Sequence, residues 1–579
     1  MKFYLLIKNG TVVDGSGAPA YRADVRVANG RITEIGPQLR AATGERVVDA
    51  TGCYVTPGFI ETHNHWDGGV WWSPNVEPMP AYGVTTSING NCGFSMAPAR
   101  PEILADVVDI FNFFEDIPEP PMQKLVPWDW QKWSEYKASF LRNVKVPVHF
   151  AAFCGHIPLR LYVMGTQAWE RAARADEIEQ MCALLEDALS AGAMGLSSNQ
   201  LDYDKHERPL PSQQADDNEY AALLAVVARH AGATFQVIVD HFMRMTGPAQ
   251  VERLGRIAKE AGVRMQWAGL PTLKFQAKVL GRSAELHSQF KNEGLDFWTG
   301  YHHVSPTSVI NFGRSLVFAQ NGNPVWQEII NAATWEEKVA LLSDQAWRDR
   351  ARESWNNQYA HSYLHDPTAL TFRESESGAG PIGVTLADYM AKTGIAHASD
   401  AMAEWVLVNG AESVILKRSW ERDEELLLEL MRDPRSVGNI SDAGAHGKMF
   451  CGAGDNVWLL TEYVRDRKLL TIEEGIHVIT GKLANFFNLH DRGLIEVGKV
   501  ADITVFNLDE IERRPEEKIW DVWDGEGGRT YRYTRAAAPM RITLVNGVPT
   551  FDNGAFTGRF PGQFVGPESA APGSNKAVA

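Results

Sequence analysis

Through the middle of this chain, short apolar runs alternate with longer amphipathic stretches, and that alternation constrains the fold more than any other feature. The runs are "YGVTTSING", "VPVHFAAFCG", "AMGLSS", "ATFQVIVDHF", "VRMQWAG", "LDFWTGY" and "VGNISDAG"; "ADEIEQMCALLEDALSAG" and "QVERLGRIAKEAG" between them carry apolar residues at helical spacing. A buried strand followed by the helix that covers it, repeated, builds a parallel sheet in the α/β class. Seven or eight such units fit closure into a (β/α)8 TIM barrel better than an open sheet, and in a barrel the chemistry sits at the C-terminal ends of the strands. The stretch 57–489 is longer than the ~250 residues such a barrel needs. Insertions are therefore expected near 101–143, rich in Trp and Phe, and near 301–380.

Residues 1–56 read differently, as short strands separated by turn signals, with Asn9-Gly10 and Asn29-Gly30 as hairpin dipeptides. The same texture returns within 490–579, in "GLIEVGKVADITVFNL" and "MRITLVNGVPTFDNG". A small β-sandwich domain built from both termini is the expectation. At 579 residues and 44% hydrophobic composition the chain can bury a large core beside such a domain. A net charge of -16 without any block of Lys or Arg argues against a nucleic-acid partner. No apolar run is long enough for a membrane span or a signal core, so a cytoplasmic protein is expected. Cys53, Cys92, Cys154, Cys182 and Cys451 are odd in number and scattered, which fits reduced thiols.

The strand ends carry the chemistry. "FIETHNH" places His63 and His65 two residues apart, on one face of an extended chain. Cys92 ends "TTSINGNC", His241 follows "VIVD", and Asp442 ends "NISD". Singly, each has a bland reading: a polar pair where a strand runs out, a small buried hydrophobe, a satisfied core histidine, a helix N-cap. Together, at the same end of successive strands, they make a ligand set suited to zinc or a similar borderline metal.

"VTPGFIETHNHWDG", "YGVTTSINGNCGFSMAP", "LEDALSAGAMGLSSN" and "SDAGAH…HDRGLIEVGKVADITVFN" resemble the amidohydrolase superfamily, specifically its N-acyl-D-amino-acid deacylase (D-aminoacylase) branch, over nearly the whole chain. The resemblance implies a strand-two cysteine, here Cys92, where most binuclear relatives bridge their metals with a carboxylated lysine. It further implies His63 and His65 as first-strand ligands, His241 as a ligand of the tighter Zn2+, and Asp442 as the metal-side acid–base group. His156 in "CGHIPLR" is implied near the substrate carbonyl, with Arg160 holding its loop; Tyr203 and Arg244 are implied as substrate contacts, Arg244 for a carboxylate. The pattern's further metal-binding histidine is replaced by Gly269, so one tight zinc is expected and the second site is open. His302 or His303, in "TGYHHVS", are candidates for a replacement nitrogen or for the pocket wall.

The expected reaction is hydrolysis of a linear C–N amide bond by metal-activated water, most simply deacylation of an N-acyl (D-)amino acid or related N-acyl amine. Asp442 would act as base and then acid, with His156 steadying the oxyanion. The competing readings are action on an N-substituted formamide, a cyclic amide or a C–C bond next to a carbonyl, and, from another class, a catalytically silent scaffold. Cyclic-amide opening is disfavoured because no lysine ends a mid-barrel strand, and a scaffold would have shed its ligands. A small-molecule substrate is expected, with no nucleic acid and no membrane as partners; homo-oligomer formation is left open. The aromatic clusters "HWDGGVWW", "FNFFED" and "VPWDWQKW" would line an acyl pocket or pack the insertion onto the barrel.

Overall fold

The computed structural model describes residues 4–206, 208–241, 244–268, 272, 274, 277–305, 307–313, 323–358, 366–419 and 421–567. Parallel extended runs dominate the middle of the chain. The first is split into Phe59–Glu61 and His63–Asn64, the second is Val84–Asn89, and the third is split into His149–Ala152 and Cys154–Gly155. Gly195–Asn199, Thr234–Ile238, Arg264–Ala268 and Phe297–Gly300 follow, and the last run is split into Ser436–Val437 and Ile440–Ala443. Their pairings form three arcs. One has six strands from Cys154–Gly155 to Ser436–Val437, one joins Phe59–Glu61, Val84–Asn89 and His149–Ala152, and one pairs Ile440–Ala443 with His63–Asn64. Each arc ends on one piece of a split run where the next begins on the other piece.

These runs are buried along nearly their whole length, with only Ile238, Arg264 and Asp442 partly exposed, as strands covered on both faces must be. The packing leaves no slack at Gly195, where a Cβ would lie 1.8 Å from the Thr234 carbonyl oxygen, at φ +144. Helices Ala175–Ser190 and Gly247–Ala261 follow the sequence expectation, and the second stops at Gly262, whose left-handed φ of 70 caps it.

Strands from both termini share one nine-stranded sheet, joined where Tyr54–Pro57 runs antiparallel to Ile503–Phe506. It has its own core, including Leu5, Ile7, Val25, Val55, Ile503 and Leu544. Asn29-Gly30 turns the hairpin between Tyr21–Ala28 and Arg31–Gly36, as expected. Asn9-Gly10 does not turn. It lies inside the strand Tyr4–Val12, where Asn9 takes φ 63 and the register with the next strand slips, a β-bulge. The same left-handed preference of Asn serves a hairpin in one place and a bulge in the other.

The interval 101–143 carries the helices Leu104–Glu115, Glu119–Lys124 and Trp133–Asn143. The later excursion is longer than 301–380: a three-stranded antiparallel sheet places Val414–Lys417 between Ser308–Ile310 and Thr371–Glu374. Helices including Leu386–Thr393 and Ala398–Asn409 pack with it around a separate core with Trp326, Trp347, Trp355, Trp405 and Phe372. The period of those two helices is that of any barrel helix, so periodicity could not place the boundary. A hairpin, Glu516–Trp523 with Arg529–Arg535, leaves the terminal sheet and rests on the loop after the last parallel run, where the Tyr533 N–H donates to the Gly447 carbonyl at 2.7 Å. Among the described residues no helix is long and apolar enough to cross a membrane.

Candidate metal centre

His63 and His65 meet Cys92 at the ends of the first two runs. His63 Nε2 lies 3.0 Å from Cys92 Sγ, and one ligand atom from each of the three residues falls within 4.8 Å of the others, all buried. Cys92 sits in the left-handed region at φ 54. Its N–H donates to Gln236 Oε1 and its carbonyl accepts from Asn199 Nδ2, both at 3.0 Å. Two other parallel runs thus hold the strained backbone that aims the sulfur. Asp442, also left-handed at φ 52, brings Oδ1 to 3.5 Å from His63 Nε2 and 3.9 Å from His65 Nε2.

The donor set fits a cation. His63 Nδ1, His65 Nδ1 and Asp67 Oδ2 are buried and make no hydrogen bond among the described residues. Burial, with His302 and His446 nearby, pushes the His63 imidazole down to about 3, and burial pushes His65 well below its usual value. Burial also raises Asp67 and Asp442 to about 7, the latter helped by Asp455 and Asp202, and drives the Cys92 thiol well up. Neutral imidazoles with unpaired ring nitrogens and several carboxyls crowded together in the interior are costly as they stand. A cation would take those lone pairs and favour the thiolate and carboxylates; nitrogen, sulfur and oxygen donors together suit zinc.

Other expected site residues lie elsewhere. His241 does not join the group: its Nε2 is 2.8 Å from Ser283 Oγ, on the helix Ala277–Asn292, and Gly247 packs against its ring. His156 has no ring nitrogen left for a substrate carbonyl. Its Nε2 is 2.7 Å from Glu219 Oε1, its Nδ1 is 3.0 Å from Ser198 Oγ, and Arg160 completes the network on the other Glu219 oxygen. Arg160 therefore holds Glu219 as well as donating to the Arg171 carbonyl. Tyr203 and Arg244 are brought together, the guanidinium 4.2 Å over the ring, but Arg244 is exposed. His302 lines a cavity beside the cluster and its Nδ1 is 3.1 Å from the Ile440 carbonyl oxygen. His303 is buried and accepts the Asn439 N–H at 3.2 Å, bracing the split last run. Gly269 lies outside the described residues.

Two acids and one histidine escaped the sequence reading. Asp67 follows His65 by two residues, with Oδ2 4.0 Å from His65 Nδ1. Glu115 ends the first insertion helix on its buried face with Phe111 and Phe114. A carboxylate on an apolar stripe was the available signal. His446 lies four residues beyond Asp442, in the left-handed region at φ 53.

Two cavities are lined by chain neighbours of the cluster, Ile440 and Ser441 in one, Trp66 and Ala443 in the other. One, of about 280 Å³, is lined by His302, Ser441, Arg373, Asp455, Arg513 and Arg535 among others. Arg513 pairs with Asp455 and Arg535 with Glu516, both at 2.8 Å, whereas among the described residues no carboxylate pairs with Arg373. The other, of about 170 Å³, is walled by Trp66, Trp72, Ile117, Phe450, Tyr531 and Tyr533. The two share Phe450, Cys451 and Gly452. Trp130 and Trp133 are instead buried against Tyr136, with Trp130 Nε1 donating to the Met96 carbonyl at 2.7 Å and Trp133 packed edge-on against Phe564.

A profile described as the amidohydrolase family matches residues 46–350 and 386–551. The chain is 26% identical to the D-aminoacylase of Alcaligenes xylosoxydans xylosoxydans, over 97% of each chain. It is also 26% identical to the N-acyl-D-glutamate deacylase of the same organism, over 95% of this chain and 94% of that protein. Among solved structures, the N-acyl-D-glutamate deacylase of Bordetella bronchiseptica, complexed with zinc and a phosphonate mimic of the tetrahedral intermediate, superposes with a TM-score of 0.64 at 23% identity. That match covers 98% of this chain and all of that one.

Proposed function

The chain belongs to the amidohydrolase family, and on that premise we propose that it is a zinc-dependent hydrolase of a linear C–N amide bond, deacylating an N-acyl (D-)amino acid or a related N-acyl amine. The observation that carries the proposal is the buried His63, His65 and Cys92 group with Asp442 at 3.5 Å. In this reading the three arcs of parallel strands make one (β/α)8 barrel spanning 57–489, and 1–56 with 490–579 form a β-sandwich. The free cysteines support a cytoplasmic location.

His63, His65 and Cys92 would hold one tight zinc, with Asp442 at its edge; His241 supports the wall. When bound, the ion supplies Lewis acidity toward the amide carbonyl and lowers the pKa of water. Asp442 Oδ1 accepts the proton of the attacking water and returns it to the departing nitrogen, so the amine leaves neutral. The aromatic cavity takes the apolar acyl group, and the polar cavity takes the amine part, with Arg373 rather than the exposed Arg244 facing a carboxylate. His302 lines that second cavity, and Tyr203 stays with Arg244 at the rim.

A hydrolysis screen over N-acyl-D-amino acids, N-acyl-L-amino acids and neutral amides, with and without chelator, tests this. Chelator-sensitive release of the amine is expected, favouring acids over neutral amides. Turnover that survives complete metal removal, or no amide hydrolysed by the metal-loaded protein, would overturn it.

A further inference from the structure

Glu115 is a buried carboxylate at the end of the first insertion helix. It is 5% exposed, and no hydrogen bond reaches its side-chain oxygens among the described residues. Oε1 is 3.5 Å from His65 Nε2 and Oε2 is 3.6 Å from His446 Nε2. Contacts this long are at best marginal as hydrogen bonds. They are the spacing of donors around one ion, since ligands at 2.0–2.2 Å in tetrahedral array stand roughly 3.3–3.6 Å apart.

The arrangement is fixed by backbone, not by these side chains. The His446 N–H donates to the Glu115 carbonyl at 2.6 Å, and the Lys448 N–H donates to Asp116 Oδ2 at 2.7 Å. The insertion helix Leu104–Glu115 and the loop after the last parallel run are therefore clamped together, and His446 is held at φ 53. Strain of about 1–3 kcal/mol at such a residue persists where the surroundings impose it, often at functional sites. His446 Nδ1 is buried and has no hydrogen-bond partner among the described residues.

We propose that Glu115 and His446 form a second cation position beside the His63, His65 and Cys92 group, with Glu115 placing one oxygen toward each position. The inference rests on the metal reading of that first group. The second position draws its donors from the insertion and from the loop after Asp442, and it takes a divalent transition ion, since imidazole beside carboxylate suits one.

The test uses full-length protein stripped with chelator and refilled with Co2+, reading ions per chain by elemental analysis and the thiolate-to-cobalt absorption band. Wild type should bind two ions, one tight with the band and one weaker. Glu115→Gln and His446→Asn should each keep the tight ion and the band but lose roughly 10–100-fold in affinity for the second. The band also reports a folded site, and because the variants lie on different elements, misfolding of one leaves the other to decide. Two ions held at wild-type affinity in the folded variants, or saturation of wild type at one ion, would overturn the second position while leaving the first intact. No ion and no band in wild type would overturn both.

Discussion

His156 and His65 are both fully buried and both face a carboxylate, yet they are bonded in opposite ways. His156 is closed on every side: Glu219 at 2.7 Å, Ser198 at 3.0 Å, Ser198 in turn 2.8 Å from the Tyr220 hydroxyl, and Arg160 on Glu219. His65 has Glu115 at 3.5 Å, Asp442 at 3.9 Å and Asp67 at 4.0 Å, with no hydrogen bond to its ring among the described residues. In the first group both His156 nitrogens and both Glu219 oxygens have partners, and the group supports the fold. The second has acceptors and lone pairs but no positive charge, which is the condition a bound cation relieves. Histidine beside a carboxylate is thus no sign of chemistry in itself; what the remaining atoms lack is the better guide.

The comparison breaks most sharply if the unsatisfied group proves dispensable. His63→Ala with His65→Ala should fold and lose hydrolysis by roughly 10⁴-fold or more, a fraction of the at least ~10⁶ acceleration enzymes supply. Steady-state turnover and metal content decide it, and substantial surviving activity would make the pair bystanders. Asp442→Asn should keep the fold and most of the metal while turnover falls roughly 10²–10⁴-fold, the range for a lost acid–base group. Turnover like wild type would move the proton transfer elsewhere.

On the other side of the comparison, Glu219→Gln should leave metal content unchanged but cost about 3–5 kcal/mol in denaturant unfolding, since it strands Arg160 in the interior. Burial alone would raise the Glu219 carboxyl, but His156 and Arg160 outweigh it and hold it at about 2 against an ordinary 4.5. A depressed carboxyl contributes stability that is fully present above pH 4.5 and lost as pH falls toward 2. Wild type should therefore lose stability more steeply than the variant across that window; equal slopes would show that the network is not tuned by charge. The smallest effect belongs to Arg373→Gln, which should raise KM roughly tenfold for N-acyl amino acids, the worth of one charge-assisted hydrogen bond. KM for neutral amides should stay put. A uniform rise across both substrate types would make Arg373 part of the wall rather than the recognition of the anion.

The parallel strands were legible because a strand buried on both faces tends to read as a short apolar run, as in "VPVHFAAFCG" and "ATFQVIVDHF". His63, His65, Cys92 and Asp442 were legible because a strand end presents its side chains in a fixed order. Asn9-Gly10 misled because left-handed Asn followed by Gly serves a bulge as readily as a hairpin. The extent of the second excursion misled because Leu386–Thr393 and Ala398–Asn409 carry a period that does not say what they pack against.

By itself the sequence determined the α/β plan, the terminal sheet and which strand-end residues gather in the candidate metal group, all of which follow from local pattern: period, turn chemistry and residue type at a strand end. Only the tertiary structure decided which histidines are satisfied. Whether His156 meets Glu219 across 63 positions, or His65 meets Glu115 without a bond, depends on how helices and loops distant in sequence settle against each other. Hydrogen-bond distances are fixed by that packing to tenths of an ångström, and no local pattern encodes them.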